Sequence, residues 1–321
     1  MYPNKFKIAR VLIALIFVVS GFALTGSHAL AASVTFNLCA STGTATLPGS
    51  VSVPFWGFAL VTTPGDCVTG IGKLPGPVLE ANEGDVVTVN VYNALPAGHS
   101  ATFELSGFAL TLPAVNQYQF TAGRSGTFVY QSSGDAGRQM AMGLYGALVV
   151  RPAGEAAGFA TGNCSTAAGA VYGNPFDREC VLVLSAVDPS FNAAPDTFDM
   201  NDYLATYWLV NGAAYPDTSA IAAPAGQRLL LRYVNAGFDY TSMMLLGAHE
   251  QVLGRDGYAL NNPFLASTEV IPSGATEDAI VTVPSTAAPT TNGFPLFNRN
   301  LHVTNGAPAS DPGGMLIFIQ P

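Results

Sequence analysis

Histidine, lysine and charge are scarce in this 321-residue sequence. It has four histidines; His28 lies in the N-terminal leader described below, and His99, His249 and His302 are scattered through the rest. Chemistry that needs several imidazoles on one point is therefore short of ligands from the start. Charged residues make up 10% of the chain, and Lys73 is the only lysine beyond the leader. Past residue 31 there are nine basic residues against 21 acidic ones. Nucleic acid is not expected as a partner, because phosphate binding needs a basic surface. No apolar run past residue 31 approaches the roughly 20 residues needed to cross a bilayer, so no transmembrane segment is expected there. No long segment has a helical period. Phosphate loops and the Gly-Xaa-Ser-Xaa-Gly nucleophile motif are missing too, which leaves no nucleophile, base and acid set in recognisable order.

Residues 1–31 read as a cleavable secretory leader. Lys5, Lys7 and Arg10 precede an apolar stretch from Val11 to Leu24, and Ala29-Leu30-Ala31 offers a small-residue cleavage site. Arg10 stands without a second arginine, which favours export as an unfolded chain. A secreted or periplasmic protein is expected. Its four cysteines fall as close pairs, Cys39 with Cys67 and Cys164 with Cys180. Four cysteines allow three connectivities, and the long gap between the pairs favours one bridge within each. With so few charges, Gly, Ala, Ser, Thr, Asn and Pro must cover the surface. Such a surface suits self-association or a protein partner, and it is also a compositional habit of exported proteins.

Short β-branched and aromatic segments recur between Gly, Pro and Asn turns: 51–60, 86–92, 101–110, 127–130 and 147–150, then 181–187, 207–210, 229–234, 279–283 and 315–319. This is the pattern of an all-β sandwich protein. An internal repeat doubles it. Glu83-Gly84-Asp85 leads into a strand ending at Asn93, and Ala225-Gly226-Gln227 leads into one ending at Asn235, with equal spacing in both copies. The expected organisation is a leader at 1–31, one sandwich at 32–152, a linker with a disulfide-tied loop at 153–178, and a second sandwich at 179–321.

Several segments together resemble the multicopper oxidases. In the first half, Pro75-Gly76-Pro77 with Glu83-Gly84-Asp85 resembles the family's opening strand signature. Ser125-Gly126-Thr127-Phe128-Val129-Tyr130 followed by Gly143-Leu144-Tyr145-Gly146-Ala147 resembles its late strands. In the second half, Asn211-Gly212, Tyr215-Pro216, Gly247-Ala248-His249 and Ile271-Pro272-Ser273-Gly274 resemble its middle domain. The resemblance implies two tandem cupredoxin-like, plastocyanin-like Greek-key β-sandwiches. A third domain, which in larger members holds the type 1 copper, is not expected.

Family members hold a trinuclear copper cluster with His-Xaa-His pairs, whose alternate residues point to one face of a strand. By the resemblance, the first pair falls on Glu104 and Ser106 and the second on Gln131 and Ser133. None is a histidine, so no metal is expected at these four positions. Assembly of a cluster between subunits does not restore it, because every copy carries the same residues. The four most simply hydrogen-bond one another; a hard cation or small molecule is the alternative. A type 1 site fails for want of a thiolate near His302. Met140, Met142, Met243 and Met244, with His249, are the alternative candidates for Cu(I), although methionine most often fills cores. His249 is expected at a turn or strand edge, His99 in an exposed loop, and His302 in a strand.

The reading is of an exported, non-catalytic relative of copper oxidases, without a cofactor, that acts by binding or assembly. The first alternative is a copper-binding protein of metal homeostasis. The second is an oxidase completed by another chain.

Overall fold

The computed structural model describes residues 31–159, 162–306 and 312–321. The leader expected at 1–31 lies almost wholly outside them. Two β-sandwiches follow one another along the chain. In the first, one sheet runs in the order Val51–Leu60, Ser33–Leu47, Val86–Ala94, Gln117–Thr121, Thr111–Ala114. It faces a second sheet ordered Leu79–Asn82, Tyr145–Arg151, Gly126–Gln131, Glu104–Leu105. Leu38, Trp56 and Val87 from the first sheet meet Leu79, Phe128 and Leu148 from the other in a single core.

The second sandwich repeats the plan. Arg178–Val187, Arg228–Asn235, Thr276–Thr282 and Glu250–Arg255 form the centre of one sheet, and Leu316–Gln320, Phe294–Asn298 and Thr241–Leu245 that of the other. The repeat read from the sequence is topologically true. Val86–Ala94 and Arg228–Asn235 each lie parallel to an early strand of their own sandwich and antiparallel to a later one. The glycines that open them, Gly84 and Gly226, both take positive φ, 97° and 83°, where a side chain would be strained.

Each expected segment contains strand, but many described strands lie outside those segments, among them Gln117–Thr121, Thr241–Leu245, Glu250–Arg255 and Phe294–Asn298. The segment 101–110 keeps only Glu104–Leu105 as strand, because Gly107 turns to positive φ and ends the ladder. The 15-residue strand Ser33–Leu47 was not expected. Its Ser, Thr and Asn content hides an element that pairs parallel with Val86–Ala94 and antiparallel with Val51–Leu60. Both disulfides form as paired above, Cys39 with Cys67 and Cys164 with Cys180. The latter two cysteines stand opposite each other on neighbouring strands. In the stretch 153–178, Val171 and Phe176 pack with Leu230, Leu253 and Ile280 of the second sandwich.

The two sandwiches meet along a seam. Val129, Tyr145, Ala147 and Val149 pack against Val181, Val183, Val234 and Ala236. Tyr145–Arg151 is therefore buried at every position, and it reads as an apolar run instead of alternating. Beside this apolar contact runs a chain of buried charge. Arg151 binds Glu80 at 2.7 Å and Glu179 at 2.5 Å, and Arg232 binds Glu179 at 2.7 Å. Thr127 of the first sandwich donates to Asp278 of the second at 2.5 Å, and Tyr172 donates to its other oxygen at 2.8 Å. No described helix is long and apolar enough to cross a membrane.

Candidate functional site at the end of the first sandwich

The strand Gly126–Gln131 decides which polar side chains meet. Phe128 and Tyr130 point into the core, while Thr127 and Val129 face the seam. Gln131 continues the seam face and stands directly opposite Glu104. Ser133, two residues on, donates a short hydrogen bond to Glu104 Oε1. Three of the four expected positions thus form one polar patch, with Glu104 and Ser133 exposed and Gln131 half-buried. The fourth, Ser106, lies apart, in a small recess with Arg124 and with Asp256 and Tyr258 of the second sandwich.

Behind the patch lies a second set of polar residues that the sequence reading passed over. Ser132, between Gln131 and Ser133, takes the opposite face and is wholly buried. It accepts from the Thr102 backbone N–H at 2.8 Å and donates to Gln139 Oε1 at 2.6 Å. Gln139, on the short helix Arg138–Met142, donates to Asp135 at 2.8 Å and to the Ser100 carbonyl at 3.2 Å. Asp135 in turn binds His99 Nδ1 at 2.8 Å, and Asp196 of the second half binds His99 Nε2 at 3.0 Å.

His99 is consequently not the exposed loop residue expected from its Pro-Ala-Gly setting. Its side chain is 14% exposed, its ring packs 4.5 Å from that of Trp56, and a carboxylate holds each nitrogen. The hydrogen bond that His99 donates to Asp135 raises the imidazole above its ordinary pKa, assisted by the charges of Asp135 and Asp196 and opposed by burial. Burial pushes the Asp135 carboxyl upward, but the hydrogen bonds from Gln139 and His99 outweigh it and hold the group below its usual value. Asp196 reaches this place because the segment 188–206 crosses the end of the first sandwich. Phe191 is buried in that sandwich's core, Asn192 donates to the Pro54 carbonyl at 2.9 Å, and Arg138 donates to the carbonyls of Pro195 and Phe198.

The methionines do not converge. Met142 sits in the first core and Met140 against the seam cluster. Met243 is buried in the second core, and its neighbour Met244 takes the other face, where Arg299 Nη1 approaches its sulfur at 3.1 Å. His249 is exposed, immediately before the strand Glu250–Arg255, as expected. His302 is not in a strand. It occupies the irregular segment after Phe294–Asn298 and stacks on Trp208 at 4.5 Å with 7° between the planes.

The four expected ligand positions carry one carboxylate, one amide and two hydroxyls, and the single described imidazole at this end, His99, has each nitrogen held by a carboxylate. Copper sites of the type 1 and trinuclear kinds require thiolate and imidazole. Glu104 and Ser133 also hydrogen-bond each other, so the residues do not fit copper. Among the described residues, no three or more His, Cys, Asp or Glu side chains stand together as a metal-holding group.

Two tandem cupredoxin-like sandwiches define the class, and comparison with known proteins narrows it. No family model matches the chain. Copper-containing nitrite reductase of Alcaligenes xylosoxydans xylosoxydans is 30% identical over 249 residues, covering 68% of this chain and 72% of that protein. Laccase-3 of Oryza sativa subsp. japonica is 27% identical over 233 residues, covering 67% of this chain. The chain spans 40% of that laccase's length. Among solved structures, the blue copper oxidase from Nitrosomonas europaea superposes with a TM-score of 0.71 at 21% identity, covering 90% of this chain and 86% of the other. The copper nitrite reductase from Nitrosomonas europaea gives 0.65 at 20% identity, with 90% and 93% covered. The chain belongs to the multicopper oxidase and cupredoxin family.

Proposed function

We propose that the protein is an exported, non-catalytic member of this family that acts by binding or assembly. The observation that carries the reading is the state of the expected ligand positions. Glu104 and Ser133 are hydrogen-bonded to each other and Gln131 stands opposite Glu104, while behind them buried Ser132 and Gln139 bond each other and Thr102, Ser100 and Asp135. None of these positions offers an imidazole or thiolate to copper. Two disulfides support export to an oxidising compartment. The low-charge surface supports contact with a protein partner or a second copy. The methionines point into separate places, which removes the geometric basis for a shared Cu(I) site.

Elemental analysis of protein matured in a copper-fed periplasm, repeated after Cu(I) loading and desalting, tests the proposal. The expected result is no retained copper and no oxygen consumption with phenolic substrates. Stoichiometric copper after desalting overturns it.

A further inference from the structure

A cleft of about 520 Å³ opens where the segment 188–206 passes the second sandwich. Trp208 and His302 form one wall as a parallel stack. Tyr203 and Phe238 also line the cleft, edge to face at 5.1 Å and 88°. The Tyr203 hydroxyl donates to the Ala186 carbonyl at 3.2 Å and fixes that ring. Asp239, next to Phe238, is the only charged residue of the lining, and no lysine or arginine is present there. Among the described residues its carboxylate enters no ion pair. The rim exposes apolar surface, with Phe238 42% and Leu204 72% accessible.

We propose that this cleft binds a small organic cation with an aromatic or quaternary ammonium head, held between the two aromatic pairs and neutralised by Asp239. The volume lies within the range of small-molecule sites. Faces of indole and phenyl rings carry negative potential and attract a cation, and tryptophan is the strongest of them. Burial lowers the pKa of His302 below its ordinary value against the pull of Asp239, so its ring meets a ligand uncharged at neutral pH. A neutral arene would fill the space but leave the carboxylate unanswered. An anion would meet Asp239 and the protein's acidic field. Covering Phe238 and Leu204 adds an apolar contribution. The site does not depend on whether the chain is catalytic.

Isothermal titration calorimetry with benzyltrimethylammonium, benzyl alcohol and benzoate tests this on the mature protein. The cation should bind saturably, benzyl alcohol about tenfold more weakly or worse, and benzoate not at all. Asp239→Asn and Phe238→Ala, both at exposed positions, should each weaken the cation by about fivefold or more with an unchanged melting temperature. Absence of saturable binding, equal affinity for cation and alcohol, or full affinity in both variants would overturn the proposal.

Discussion

The seam between the sandwiches and the polar end of the first sandwich are built from similar side chains under opposite conditions. At the seam, Arg151, Glu179, Arg232 and Asp278 are all buried and each meets an opposite charge. At the sandwich end, Glu104 and Ser133 are exposed and hydrogen-bonded to each other, beside half-buried Gln131, which pairs with Glu104 through the backbone. A chain with 10% charged residues has placed some of its few arginines in its interior. Ion pairs in the interior contribute little net stability against an apolar replacement, yet they penalise every arrangement that leaves them unmatched. The charge at the seam therefore acts to fix how the two sandwiches meet. The oxygen donors at the sandwich end carry no such penalty, so that region is free to change in sequence.

The contrast is broken or sharpened most directly at Arg232. Arg232→Met removes one of the two arginine partners of Glu179 and one partner of Asp278 while leaving both acids buried. Urea unfolding should show a loss of about 3–5 kcal/mol. A loss below about 1 kcal/mol would put the seam in the class of surface pairs and end the distinction.

The next largest effect concerns two acids whose burial outweighs any favourable partner. Glu250 is fully buried and receives a hydrogen bond from Tyr233 at 2.6 Å. Burial pushes its pKa up to about 8, with the charges of Glu277 and Glu269 adding to the rise. Glu277 follows, pushed to about 7 by burial although Arg255 pulls it down. A carboxyl whose folded pKa is raised binds its proton more tightly in the folded state. Its contribution is therefore intact below the unfolded value and is lost as pH rises toward the folded value. Stability should fall between about pH 4.5 and pH 8, by on the order of a few kcal/mol at about 1.4 kcal/mol per pKa unit. Glu250→Gln should flatten that slope in denaturation measured across the range. An unchanged slope would mean that Glu250 ionises as freely as an exposed acid.

The all-β class, ten of the strands, the repeat and the disulfide pairing were legible in the sequence because each rests on local pattern or even spacing, whereas strands rich in Ser, Thr and Asn, such as Ser33–Leu47, were not. The seam was legible only in part. The segment 147–150 marked a strand but not its burial on both faces, and nothing local paired Arg151 with Glu179 or Thr127 with Asp278, 151 residues away. The sandwich end shows the same limit. Alternation about Gln131 and Ser133 marked one face, and the same alternation, applied to Ser132, would have marked the buried one. Gln139 and Asp135 lie on short helical turns with no period to read. Asp196 comes from the other half of the chain. His99 was misread because its flanking Pro-Ala-Gly signals a loop and gives no sign of Trp56 or the two acids that enclose it.

His99 is the point where the sandwich end comes closest to the seam in kind, since Asp196 ties it across the two halves. Its pKa is raised, so the stabilisation is fully present below the unfolded value of 6.5 and is lost as pH rises through the folded one. NMR titration of the His99 ring should give a midpoint above 6.5 that moves down in Asp196→Asn. That variant should cost no more than about 1 kcal/mol, because Asp196 is largely exposed and solvent screens the pair.

Glu104 and Ser133 should give the smallest effect. Ser133→Ala removes the only side-chain hydrogen bond found at Glu104 among the described residues, and Glu104→Gln keeps the shape while removing the charge. Both positions are exposed, so the freed groups return to water and no buried group is left unsatisfied. Each change should shift unfolding by no more than about 0.5 kcal/mol. A loss above about 1 kcal/mol in either variant would mean that the patch braces the sandwich as the seam does. The freedom ascribed to these positions would then be withdrawn, because side chains that support the fold cannot be exchanged as readily as side chains that only meet at its surface.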